Sequence, residues 1–392
     1  MISIDFDEVL VRRNSESFKW RTYPEDVLPL FVADMDFKSP APVARALQRY
    51  IDDGVFGYPR GLHSHDVREL PTLAEIVAER MQQRYGWKIT PEEVVYIPGV
   101  VPGLNLACHA VNEQGGAVLV QPPVYPPILA APFHAHLTRR ESALRREAGF
   151  RYGIDWESFE ASITRETRMF ILCNPHNPVG RVFSKDELTR MAEICLAKKV
   201  LICADEIHSD LVFSGHPHVP IASMDPEIAE NSITFIAPSK TFNLAGLQCA
   251  FAIIPNAELR RRFQAAREGL TPWVNAAGVI GAQAAYCECQ DWLDELLVYL
   301  EANRDFLRDF VHREMPSVKL TVSEGTYLAW LDFRDLALEN PYQYVLDRAR
   351  VALSDGTSFG TGGKGFLRLN FACPRVTLAE ALNRIRNVLP PQ

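Results

Sequence analysis

Between residues 93 and 254 short apolar runs alternate with amphipathic stretches, and this alternation restricts the chain to few architectures. The runs cover 94–97, 117–121, 169–173, 200–204, 233–237 and 249–254, and several are apolar almost throughout. Continuous apolar runs of that length suit strands covered on both faces. Alternation with helices, such as one expected over 185–198, predicts an α/β fold with a mostly parallel, doubly wound sheet. Upstream, residues 1 to about 45 read as an extended arm, with helical patterning from about 40 to 51 and again over 70–85. After about residue 280 the character changes to long charged helices, expected over 292–313 and 341–351, with strands around 328–331 and 366–370. The 392 residues therefore divide into a large domain over 46–280 and a smaller α+β domain made of 1–45 and 281–392.

The bulk numbers exclude several classes. A formal net charge of −8 leaves no electrostatic footprint for nucleic acid or anionic membrane. The most apolar window, 94–111, contains Pro98, Pro102, Asn105 and His109, so it is core and not a membrane span. No basic segment followed by an apolar one occurs at Met1, so a cytoplasmic location is expected. The eight cysteines are scattered without any Cys-x-x-Cys, which predicts free thiols in a reducing compartment. The pairs His63/His65 and His134/His136 have HxH spacing and no Cys companion, which is too little for a metal site to be expected.

In an open α/β sheet, ligands bind beyond the carboxyl ends of the strands, and the polar residues following these runs can be read together. Lys240 follows the run 233–237 and its stop at Pro238. A desolvated amine there can lose its proton and form a Schiff base with a carbonyl group, whereas a solvated surface lysine cannot. Asp205 ends the run 200–204; it is either a helix N-cap or a buried carboxylate facing a cation such as a protonated ring nitrogen. His208, three residues on, shares its face if the turn is helical, as a structural or a binding residue. Asn177 sits in the loop 174–180, stiffened by two prolines and closed by Gly180, as an Asx turn or a presented ligand group. Tyr125, among the prolines of 122–127, either packs against the core or offers its flat face to another ring. The segment 99–103 opens a helix whose backbone N–H groups can hold a phosphate. Arg368 lies inside an apolar strand and needs an anion, supplied by a structural ion pair or by a substrate carboxylate. The segment 360–365 matches G-x-G-x-x-G but precedes a strand, the wrong context for a dinucleotide.

Tyr125, Asn177, Asp205 and Lys240 after successive strands, with Arg368 far downstream, resemble the fold-type-I pyridoxal-phosphate enzymes of the class I/II aminotransferase superfamily. The strings at 32–37 (VADMDF), 56–58 (FGY), 99–101 (GVV), 123–125 (PVY), 205–208 (DEIH) and 239–243 (SKTFN) are similar to its MalY/PatB branch of cystathionine β-lyases and C–S lyases. The resemblance implies a two-lobed homodimer with a seven-stranded sheet, the cofactor pyridoxal 5′-phosphate held in the large domain, and a small amino-acid substrate. It implies that Lys240 carries the cofactor, Asp205 pairs with its ring nitrogen, and Asn177 and His208 bond its hydroxyl. Tyr125 stacks on the ring, Val100, Val101 and Ser239 lie at the phosphate, and Tyr58 reaches that phosphate from the second subunit. Arg368, with Asn177, grips the substrate carboxylate; Lys240, Tyr125 and Asp205 are the catalytic set. The activity so implied is β-elimination on an S-substituted cysteine, with transamination, or a specialised processing of cysteine conjugates, as alternatives. Two departures from the branch, Arg21 after Lys19-Trp20 and the segment 60–65, bear on which side chain is read.

Overall fold

The computed structural model describes residues 4–59, 71–112 and 115–390. Seven strands build the main sheet: β1 Val94–Ile97, β2 Ala117–Val120, β3 Thr138–Glu141, β4 Thr167–Cys173, β5 Leu201–Asp205, β6 Ser232–Ile236 and β7 Ala250–Ile253. Their order is β1-β7-β6-β5-β4-β2-β3. Strands β2 to β6 run parallel, and β7 is antiparallel to both of its neighbours. Each apolar run read from the sequence is a strand, within two residues at either end.

Strand parity shows why the runs are apolar on every residue. On β4, Met169, Ile171 and Cys173 point into one buried layer, while Phe170 and Leu172 point into the other. The first layer is closed by Leu104, Ala107 and Cys108 of the helix α1, Val100–Ala110. The second is closed by Leu188, Met191, Ala192 and Cys195 of α2, Lys185–Ala197. Helix α2 starts with Ser184 and Glu187 in a reciprocal capping box, which stabilises it by about 1 kcal/mol.

The C-terminal half carries the 25-residue helix α3, Gln290–Glu314, and a second sheet. That sheet contains β8 Lys319–Thr321, β9 Leu328–Asp332, β10 Ser354–Asp355 and β11 Phe366–Asn370, antiparallel in the order β8-β9-β11-β10. The N-terminal arm joins this half: Leu28–Pro29 pairs in parallel with Val351–Ala352.

Two expectations differ from the fold. Edge strand β3 went unread because its sequence, Thr-Arg-Arg-Glu, has no apolar residue and is only partly buried. The helix expected over 341–351 is a single α-turn, Pro341–Tyr344, followed by a π-turn over Val345–Ala349. Arg350 then adopts a left-handed conformation (φ 55°), and the chain enters Val351–Ala352. The pair His63/His65 and the segment 60–65 lie outside the described residues. All eight cysteines are free; seven are buried and Cys287 is exposed. Among the described residues no helix is long and apolar enough to cross a membrane, and no group of His, Cys, Asp and Glu could hold a metal ion.

Candidate active site

The parity that fills the core also aims the site. Asp205 is the last residue of β5 and continues the face of Cys203, toward the layer under α1. It lies in register with Cys173, the last residue of β4. Asp205 is 4% exposed, and among the described residues it has no ion-pair partner. It accepts one hydrogen bond, from the Ile207 N–H at 3.3 Å. Burial raises its pKa to about 7 against the opposing pull of Lys240. Glu206, of opposite parity, is fully committed elsewhere, to His218 Nε2 and the Ile221 N–H, both at 3.0 Å. The chain after Asp205 makes tight turns, with Ser209 N–H on Glu206 O and Leu211 N–H on His208 O, and no helix starts there. The N-cap alternative for Asp205 therefore falls, and His208 reaches the site through a turn and not along a helix face. The His208 Nδ1 is buried without a partner, and burial together with Lys240 holds the imidazole neutral, well below its usual pKa.

Strand β6 runs to Ile236, and Pro238 opens a one-turn helix, Pro238–Thr241, that carries Ser239 and Lys240. The turn is pinned by Thr241 Oγ1, which donates to Asp210 Oδ2 at 3.2 Å. Asp210 also accepts from Arg80 at 2.8 Å and from the Tyr85 hydroxyl at 3.1 Å. Lys240 Nζ donates to the carbonyl of Ala33 at 2.6 Å. Burial first, and then the charge of Arg368, lower its pKa to about 8. Neither force acts on a solvated surface lysine.

The N-terminal arm crosses the site with its backbone. The carbonyls of Phe31, Val32, Ala33, Asp34 and Met35 each accept from a side chain of another element: Arg368, Asn370, Lys240, Asn370 and Asn243 in turn. Ala33 O takes a second donor, the hydroxyl of the buried Tyr327, at 2.9 Å.

Asn177 lies in the loop between β4 and α2. Gly180 closes that loop at φ 72°, where a Cβ would stand 2.8 Å from Ser323 Cα. Asn177 O accepts from the Tyr125 N–H at 3.0 Å, so this loop carries the neighbouring one that presents Tyr125. Asn177 Oδ1 accepts from Arg368 Nη1 at 3.0 Å, which leaves its NH₂ group and a second lone pair on Oδ1 for anything else. Arg368 is 5% exposed and has no ion pair among the described residues, so the structural ion-pair alternative is not realised. Its Nε is buried without a partner, and burial lowers its pKa to about 10. Helix α1 begins at Val100 without a side-chain cap, because Gly99 holds the N-cap position.

These residues enclose one cavity of about 290 Å³. Val100, Val101, Tyr125, Asn177, Asp205, His208, Ser239 and Lys240 all line it. Arg368 is not among the lining residues, but it is bonded to Asn177, which is, and its charge acts on Lys240. Tyr58 is 94% exposed, with its ring 6.3 Å from that of Trp273, and is not part of the lining within one chain. Arg21 is also exposed and pairs with Glu16 at 2.7 Å. Sequence reasoning missed the carbonyl of Ala33, the hydroxyl of Tyr327 and the thiol of Cys173. The first is a backbone atom with no signature of its own, although the string 32–37 marks the segment.

Chemically, the cavity pairs an easily deprotonated amine with a buried carboxylate that lacks a cation. It adds a neutral imidazole and the free N–H groups of a helix start, which suit an anionic group. The model of the aminotransferase class I and II family matches residues 25–385. A cystathionine β-lyase, PatB of Bacillus subtilis (strain 168), is 40% identical over 98% of this chain and 100% of the relative. The crystal structure of OvoB superposes with a TM-score of 0.92 at 40% identity, covering 99% of this chain and all of the other. Cystalysin of Treponema denticola, whose structure contains pyridoxal 5′-phosphate, has a TM-score of 0.92 at 33% identity over 99% of both chains.

Proposed function

The chain belongs to the aminotransferase class I and II family, and from that premise we propose that it is a pyridoxal-phosphate-dependent carbon–sulfur β-lyase. It cleaves an S-substituted cysteine of the cystathionine kind to a thiol, pyruvate and ammonia. The observation that carries this reading is Lys240: a buried amine, its pKa lowered to about 8, in the same cavity as a carboxylate with no cation of its own. A full-length relative named cystathionine β-lyase points to the same chemistry.

The residues present fit the cofactor. Asp205 lacks the positive partner that a protonated ring nitrogen supplies, and pairing would bring its pKa back down. The unpartnered His208 Nδ1 and the free NH₂ of Asn177 suit a ring oxygen. The first amides of α1, at Val100 and Val101, with the Ser239 hydroxyl, suit the phosphate, and Tyr125 offers its ring face. When bound, pyridoxal phosphate supplies an electron sink for the charge left at the substrate Cα.

The rest is done by the chain. Arg368, buried and without an anion of its own, holds the substrate carboxylate and orients the Cα–H bond. Lys240 Nζ takes the Cα proton; an amine with a pKa near the working pH is matched to that transfer. The Ala33 carbonyl receives Nζ in its free form and keeps it at the cavity. Apolar lining from Val100, Val101 and Ala33 limits water around the reacting carbon.

The remaining features complete the reading. Residues 46–280 form the cofactor-binding unit, with 1–45 and 281–392 as the smaller one. The protein works in the cytoplasm as a homodimer, and Tyr58, exposed in a single chain, reaches the phosphate of the second subunit. Mixing Lys240→Ala and Tyr58→Phe chains then rebuilds one complete site per mixed dimer and restores activity to the mixture.

Transamination uses the same residues and is favoured by the family model itself. A panel of cysteine conjugates separates the two. Release of pyruvate and thiol without added keto acid is the expected result, and strict dependence on a keto-acid acceptor would overturn the lyase reading.

A further inference from the structure

Arg368 is gripped entirely by neutral acceptors, and each comes from a different part of the fold. Nη1 donates to Asn177 Oδ1 at 3.0 Å, in the loop after β4. Nη2 donates to Phe31 O at 2.8 Å, in the N-terminal arm, and to Ser354 Oγ at 3.2 Å, in β10. The guanidinium lies over the ring of Phe359, 5.1 Å from its centroid. Among the described residues no carboxylate takes part, so the positive charge is held in place without being neutralised.

Ser354 is the residue that orders this arrangement. It is the register partner of Arg368 across β10 and β11, so its side chain rises beside the guanidinium. Its single hydroxyl proton is committed to Phe31 O at 2.9 Å. Only lone pairs are then left to face Nη2. Hydroxyl, carbonyl and Nη2 form a closed triangle that fixes the guanidinium plane and leaves the buried Nε without a partner.

We infer that Ser354 is a positioning residue for the carboxylate grip: it sets the orientation of Arg368 toward the α-carboxylate of an amino-acid substrate while leaving its charge free. The inference rests on the reading of Arg368 as the group that binds that carboxylate. It also explains why a serine serves where an aspartate would be equally short. An acidic side chain at 354 would pair with Arg368 and compete with the substrate for it.

The test is a binding ratio measured on the holoenzyme. Calorimetric titration with an α-methyl amino acid, which has no Cα proton to lose, and with its methyl ester gives the preference for a free carboxylate. Ser354→Ala is expected to lower that preference about tenfold or more, as befits one lost hydrogen bond to a charged group, with ester affinity unchanged. Ser354→Thr, which keeps the hydroxyl, restores it, and Ser354→Asp reduces it below the alanine variant. Should Ser354→Ala lose the fold, Ser354→Cys, of similar size but weak as an acceptor, reads the same ratio. An unaltered preference in a folded Ser354→Ala or Ser354→Cys enzyme overturns the role of Ser354. Arg368→Lys separates the two layers of the argument. If it also leaves the preference unaltered, the reading of Arg368 fails; if it lowers the preference while Ser354→Ala does not, only the role of Ser354 fails.

Discussion

Replacing Asp205 by Asn separates what this residue does for the fold from what it does for the site. In the cofactor-free chain, burial carries the carboxyl from its ordinary 3.8 to about 7. Once ionised, it costs the folded state about 4 kcal/mol. The sign follows from proton counts. Between pH 3.8 and 7 the folded chain keeps a proton that the unfolded chain has released, so stability falls as pH rises and the loss is complete above 7. The amide of the Asp205→Asn variant does not titrate and carries no such dependence. From pH 5 to 7 the advantage of Asp205→Asn over the parent should therefore grow by about 2 kcal/mol, at a slope of about 1.36 kcal/mol per pH unit that flattens near pH 7. Over that window Lys240 stays charged below its value of about 8 and adds little slope. The assay is urea unfolding of both cofactor-free proteins at fixed protein concentration. Adding pyridoxal phosphate should then close the gap, because its ring nitrogen gives the parent carboxylate a partner. Activity of the variant should fall by a factor of about 100 or more, on the order seen when a charge-stabilising group is removed. A difference between the two proteins that does not change with pH would refute the claim that this carboxylate is buried without a cation.

Two further outcomes test the site and its support. The rate at which cofactor-free protein captures an aldehyde, trapped by borohydride at Lys240, should rise about tenfold per pH unit and level off near pH 8; a rise continuing to the ordinary lysine value of 10.5 would show the amine to be solvated. Glu324→Ala removes the acceptor of Arg181 Nε at 3.0 Å and of the Val182 N–H at 2.8 Å. It leaves a buried arginine with Glu187 as its one carboxylate among the described residues, beside the Tyr152 carbonyl, so unfolding free energy should drop by on the order of 3 kcal/mol; a loss below about 1 kcal/mol would show that these partners suffice.

The large sheet is legible because burial on both faces demands uninterrupted apolar strands, and 94–97 coincides with β1 to the residue; in the second sheet 366–370 coincides with β11. Asp205 and Lys240 are legible for a related reason: polar residues at or just beyond the carboxyl ends of such strands stand next to the crevice there, and parity decides which of them enter it, as Asp205 does and Glu206 does not. Strand β3 is not, since an edge needs no apolar face. Neither are Ala33, whose contribution is a carbonyl, and Tyr327 and Ser354, which the fold of the C-terminal half sets beside Ala33 and Arg368. Asn177 and Arg368 read separately as candidates, and only the fold shows them bonded to each other.

The arm beside the cavity is held through five successive carbonyls, from Phe31 to Met35, and Ala33 is the residue of the five that lines the cavity. Exchanging a residue there leaves the acceptor oxygen where it was; removing one advances every oxygen behind the gap by about 3.3 Å and delivers it to the wrong donor. The stretch is thus fixed by its count as well as by its side chains, among them Asp34, paired with Arg12 and Lys19, and the buried Met35. Natural variants of this enzyme should keep the number of residues along 31–35 even where a side chain changes.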